Sequence, residues 1–194
     1  MIGDAVNLTV PPAQLVAKLP RSAVDREPAR FVFAGDWAAA AQTRPHEQAV
    51  QSMRDLLDHG ADIENSEVHR RLSAQLAAGR PWAKAGTLFD SAEKIRAYCE
   101  DCIATGRSIE RLGYRSDLPN DAIEVIVTAD GSLVHLRRGN HRVAFARLFA
   151  VPLVPVEVRH VHRDFVMSCL RRHRQSWLTS LRAGLRQLGE RRSS

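Results

Sequence analysis

Residues 123–161 constrain the fold more tightly than any other part of this chain. "IEVIVTADGSLVHL" (123–136) is two β-rich runs around Asp130-Gly131, the turn pair that most often closes a two-strand hairpin. "HRVAFARLFA" (141–150) then has the spacing of a short helix, and "LVPVEVRHV" (153–161) is a further strand. The order hairpin, helix, strand puts residues 137–140 where a strand feeds a helix N-terminus. Helix starts carry unpaired N–H groups and the positive end of the dipole, so cations there are unfavourable by some tenths of a kcal/mol each. The chain nevertheless places Arg137, Arg138, His141 and Arg142 around Gly139 and Asn140. An anion bound among them supplies the compensation, and phosphate is the anion such a start accepts best. The plain alternative is a turn with a solvated basic helix start. Arg137 and Arg138 are adjacent on an extended segment and point opposite ways, so at least one of them is expected to reach the anion.

The region before Pro119 reads differently. Residues 1–30, broken by Pro11, Pro12, Pro20 and Pro28, predict an extended, loop-rich arm. "FVFAGDW" (31–37) predicts a short strand ending in a turn. A helix follows from Pro45 towards Gly60, another spans about 65–78, and a third starts near Asp90, where Asp90 and Glu93 resemble a capping box. Cys99 and Cys102 form a C-x-x-C on the apolar stripe of that third helix, which points to core packing, not zinc. From Phe165 the spacing of Val166, Leu170, Trp177, Leu181, Leu185 and Leu188 predicts one long amphipathic helix. These elements give an α+β chain in three parts: an arm and helical region (1–118), a core (119–164) and a basic helical tail (165–194).

The formal charge of +6 on 194 residues is uneven. From Arg159 onward nine arginines face only Asp164 and Glu190, while the preceding residues are close to neutral. Basicity therefore resides in the tail and is a weaker argument for nucleic-acid binding than a basic domain face. Of the 28 basic residues only three are lysines, Lys18, Lys84 and Lys94, a bias that GC-rich codon usage also produces. Three cysteines, an odd number, suit a reducing cytoplasm. No run of 18 apolar residues and no leader pattern is visible, so neither export nor membrane spanning is expected.

The block "ADGSLVHLRRGNHRVAFARLFAVPLVPVEV" (129–158) resembles the ParB/sulfiredoxin superfamily: strand, Asp-Gly turn, strand, Gly-x-His/Arg-Arg-x-x-Ala at a helix start, then a strand ending Pro-Val-x-Val. Gly139, His141, Arg142 and Ala146 occupy the motif, and Pro155, Val156 and Val158 the closing strand. Upstream, Gly35-Asp36-Trp37, Gly79-Arg80-Pro81-Trp82 and "LGY" (112–114) resemble uncharacterised members of the same superfamily. The resemblance implies a nucleotide site for ATP or CTP, with Gly139 admitting the phosphates and His141 and Arg142 contacting their oxygens. Asn140 stands where sulfiredoxins carry their catalytic Cys, and an amide is no thiolate nucleophile, so that activity is not expected. No helix-turn-helix follows the motif, so partition activity is not expected either.

The expectation that results is a cytoplasmic, nucleotide-binding protein, an ATP- or CTP-dependent phosphotransferase or nucleotide hydrolase. Arg137, Arg138, Gly139, Asn140, His141 and Arg142 would bind the phosphates with Mg²⁺. Asp36 or Glu124 would serve the acceptor as the carboxylate that phosphoryl transfer needs. The alternative is a non-enzymatic nucleic-acid-binding module acting through the Arg-rich tail. That tail's apolar stripe must be buried, on its own domain or in a homodimer through residues 165–188, with Trp177 as an anchor. His160, His162 and Asp164 share one face of a strand, but a basic strand end explains them better than a metal site.

Overall fold

The computed structural model describes residues 7–84, 86–114 and 123–190. The expected boundary at 118/119 and the last two arginines, Arg191 and Arg192, lie outside them. The class is α+β: a mixed six-stranded sheet, a separate two-stranded sheet, and seven helices among the described residues.

At the centre of the large sheet runs β6 (Ile123–Val127), every residue of it buried. The hairpin at Asp130-Gly131 joins it to antiparallel β7 (Leu133–Arg137), with Gly131 at φ 85°. On its other side β6 pairs in parallel with β8 (Val154–His162), after helix α5 (Asn140–Leu148) has crossed over. Arg138 and Gly139 link β7 to α5 and are both left-handed, at φ 58° and 66°. Only glycine fits at 139, because a Cβ there would lie 2.8 Å from Ile123 Cγ1.

The N-terminal residues are not a loop-rich arm. β1 (Asn7–Val10) pairs antiparallel with one end of β8, and β3 (Val32–Phe33) in parallel with the other end of the same edge. β2 (Leu15–Lys18) closes the opposite side of the sheet, parallel to β7. The order is β1-β8-β6-β7-β2, so residues 7–18 supply both flanks. These strands of four residues alternate buried and exposed over too short a window for periodicity to reveal. α1 is the single turn Arg21–Val24.

Side-chain alternation divides the sheet's contacts. Ile123, Val125 and Val127 belong to a core with Val143 and Ala146 of α5 and with α6 (Arg163–His173) and α7 (Trp177–Glu190). Ile126, Val134 and Leu136 belong to a second, with Leu19, Ala23 and Phe33. A third core joins α2 (Arg44–His59), α3 (Glu67–Ala77) and α4 (Ala92–Leu112) to Ala144 and Phe145 of α5. The α4 cap lies one residue later than the sequence suggested: Ser91 Oγ accepts the Lys94 amide, while Asp90 pairs with the Lys94 ammonium at 2.7 Å. As expected for the C-x-x-C, Cys99 and Cys102 are free and buried in the helical core.

The tail is two helices and not one. Arg174 turns left-handed at φ 50° and breaks the predicted rod between α6 and α7. Phe165, Val166, Cys169, Leu181, Leu185 and Leu188 all enter the sheet core, so of the two expected burials, on its own domain or in a homodimer, these residues take the first. Trp177 is 51% exposed and so is not the buried anchor expected of it. Among the described residues no helix is long and apolar enough to cross a membrane.

Gly106 lets α4 approach α5, for a Cβ on it would fall 2.6 Å from the buried ring of Phe145. Gly106→Ala is expected to destabilise by about 1–3 kcal/mol through overpacking. In urea unfolding, Gly106→Ala should cost much less when Phe145→Leu has trimmed the ring; additive losses would place the strain elsewhere.

Candidate phosphate-binding cleft

The N-terminus of α5 opens into a cleft of about 890 Å³. Its first intrahelical bond runs from the Val143 amide to the Gly139 carbonyl, so the amides of residues 140–142 have no acceptor within the helix. No side chain caps this end, and its first turn holds no acidic residue. Below the turn, His135 Nε2 donates to the Arg138 carbonyl and holds the left-handed backbone in place.

Two lysines from separate sheets converge here. Lys18, the last residue of β2, donates to Asn140 Oδ1 at 2.9 Å. Lys84 ends β4 (Trp82–Lys84), which with β5 (Thr87–Phe89) forms the two-stranded sheet. Its Nζ lies 3.1 Å from His141 Nε2 and 3.3 Å from the Tyr98 hydroxyl. Burial lowers the pKa of both lysines, and among the described residues neither pairs with a carboxylate. Partly buried cations without anionic partners are costly, and a bound anion removes the cost.

His141 is not the cation the sequence suggested. Burial, then the charges of Lys84 and Lys18, hold its pKa down to about 3, so the imidazole is neutral. Tyr98 lies 3.0 Å from Nε2 and Cys102 Sγ 3.4 Å from Nδ1. Tyr98, Asp101, Cys102 and Thr105 line the cleft from one face of α4 at helical spacing. Burial raises both the Tyr98 and the Cys102 pKa, so neither is a ready nucleophile.

The paired arginines divide. Arg137 Nε meets Glu124, 3% exposed, and its Nη1 meets Glu27 Oε2 at 2.8 Å. Glu27 in turn meets His160 Nε2 at 2.7 Å, and His160 Nδ1 donates to the Arg30 carbonyl at 2.9 Å. Arg137 thus already holds two carboxylates. Arg138 is half exposed, with its Nε 3.5 Å from Glu124 Oε1, and both it and Arg142 line the cleft. Glu124 lies behind Arg137 and does not line the cleft, and neither does Asp36. Asp36 is exposed at the start of the 3₁₀ turn Trp37–Ala40, where Trp37 Nε1 donates to the Ala23 carbonyl. Asp101 is the carboxylate that lines the cleft. His162 Nδ1 accepts the Asp164 amide at the start of α6. Among the described residues no group of three His, Cys, Asp or Glu is placed to hold a metal ion.

Gly139 through Arg142, with Arg137 and Arg138, therefore come together as the sequence suggested, while Lys18, Lys84, Tyr98 and Asp101 were not foreseen. The one available signal was lysine scarcity, since two of the chain's three lysines stand in this cleft. Compared with family models, curated proteins and solved structures, the chain matches none.

Removing Arg137 leaves the buried Glu124 and the partly buried Glu27 without the cation they share. Arg137→Ala is expected to cost about 3 kcal/mol in urea unfolding, and Arg138→Ala no more than about 1.

A second consequence follows from His46 and His135, which stack at 5.3 Å and are held neutral by burial at about 4 and about 3. The unfolded chain takes up their protons near pH 6.5, so their contribution is complete above 6.5 and is lost as pH falls toward 4 and 3. With His141, likewise held at about 3, they give a slope approaching roughly 4 kcal/mol per pH unit. His46→Gln should remove about a third of it in denaturation midpoints taken between pH 6.5 and 4.

Proposed function

We propose that this chain binds a nucleoside triphosphate, ATP or CTP, in the manner of the ParB/sulfiredoxin-like proteins its sequence resembles, and uses it for phosphotransfer or hydrolysis. The observation that carries this is the convergence of Lys18 and Lys84 on Asn140 and His141 at the uncapped N-terminus of α5. The first amides of α5, its dipole and two lysines that pair with no carboxylate among the described residues form a polyphosphate cradle. Leu19, Pro20, Val24 and Leu136 give the same cleft an apolar wall for the nucleoside. Arg138 and Arg142 stand at the phosphate end. Arg137, held by Glu124 and Glu27, positions the turn.

Magnesium fits as a companion of the phosphates. The cleft offers Asp101 alone as a carboxylate, so the nucleotide's own oxygens would supply most ligands. Asp101 is also better placed than Asp36 or Glu124 to serve an acceptor hydroxyl. The three free, buried thiols agree with a reducing cytoplasm.

The runner-up is nucleic-acid binding through the tail. Its apolar stripe is internal, yet Arg163, Arg171, Arg172, Arg174 and Arg186 remain exposed around it. Because α6 and α7 complete the core, charge reversal tests this more cleanly than deletion.

Calorimetry with ATP and CTP decides between them. Micromolar binding of one nucleotide is expected, weakened about 10- to 100-fold by Lys18→Ala or Arg142→Ala and unchanged by Arg171→Glu. No nucleotide binding, together with duplex binding that falls steeply with salt and is lost in Arg171→Glu, would favour the tail.

A further inference from the structure

A second chamber, of about 430 Å³, adjoins the phosphate cleft. It shares Lys18, Pro45, Tyr98, Asn140 and His141 with that cleft but is otherwise built by α2, α3 and Trp82. Its volume falls in the range of about 300–1,000 Å³ of small-molecule pockets. Met53, Val68 and Leu72, all buried, provide apolar walls together with Trp82.

Polar groups stand over these walls at helical spacing: Gln48 and Ser52 one turn apart on α2, Arg71 and Gln75 one turn apart on α3. Among the described residues these four side chains have no hydrogen-bond or ion-pair partner in the protein. Not one carboxylate lines the chamber, while Arg71 and Lys18 both do. Arg71 is exposed and lines the chamber, and its charge is the smallest of the influences on the Tyr98 phenol.

We propose that this chamber receives the second substrate, a small carboxylate with an apolar body, beside the phosphates. The inference rests on the phosphate reading of the α5 N-terminus. Arg71 offers a planar fork that matches a carboxylate. Gln48, Ser52 and Gln75 satisfy the remaining polar edges, and Met53, Leu72 and Trp82 take up the apolar part. A ligand so held lies next to Asn140 and His141, where the phosphates of a nucleotide in the larger cleft end.

The test is ¹⁹F NMR titration of the full chain with 4-fluorophenylacetate, and with its uncharged analogue 4-fluorophenylacetamide. The acid is expected to bind at least 10-fold more tightly than the amide. Arg71→Ala should abolish that preference and Arg71→Lys restore part of it. Ser52→Trp, which fills the chamber, should remove binding of both. Saturating ATP should leave the acid bound. Equal binding of acid and amide, binding of neither, or displacement of the acid by ATP would each overturn the proposal, the last by making the chamber part of the nucleotide site. If ATP itself does not bind while the acid still does, the nucleotide reading fails and the carboxylate pocket stands on its own. Circular dichroism of each variant shows that a loss is not unfolding.

Discussion

Helix α5 is buried on two sides at once, and everything at the cleft depends on this. Val143 and Ala146 enter the sheet core, Ala144 and Phe145 the helical core, and all four are essentially without solvent contact. A helix used this way cannot rotate or slide without breaking two close-packed interfaces. Its far end is tied as well, because Arg147 Nη2 donates to the Leu15 carbonyl at 2.6 Å, joining α5 to β2. The N-terminal amides are therefore held at one point relative to Lys18, three residues along the same strand. Anion binding gains from such rigidity, since the donors pay no ordering entropy when the ligand arrives.

Beneath the cleft, polar groups do what apolar packing cannot. Glu124, Arg137, Glu27 and His160 form a chain from the central strand to the residues after α1. Trp37 sits edge-on to His160 and Phe33 at the same place. This assembly neutralises Arg137 and leaves Arg138 to face solvent and the cleft. Two neighbouring arginines that look equivalent as letters thus have different duties, because Arg137 ends β7 beside Glu124 and Glu27 while Arg138 has already turned into the left-handed link to α5.

Some of the site was legible. Gly139 through Arg142 needed only local rules: a hairpin signal, a helical pattern after it, and the cost of cations at a helix start. Other parts were hidden for identifiable reasons. β1 and β2 are four residues each and separated by Pro11 and Pro12, so their strand character comes from pairing with β8 and β7 and not from a readable run. Lys18 and Lys84 sit in segments without motif, over a hundred and over fifty residues from the helix they serve. The tail's periodicity was real, but the left-handed turn at Arg174 has no glycine to announce it.

Taken alone, the amino-acid order determined the α+β class, the strand–turn–helix around Gly139 and the basic character of the helix start, because each follows from interactions within about ten residues. Tertiary structure decided which charges meet an anion. Burial and distant neighbours, not residue type, made His141 neutral, paired Arg137 with Glu124 and Glu27, left Asp36 outside the cleft, and brought two lysines in. Charge placement depends on solvent exclusion and on through-space distance, and neither quantity is written in local sequence.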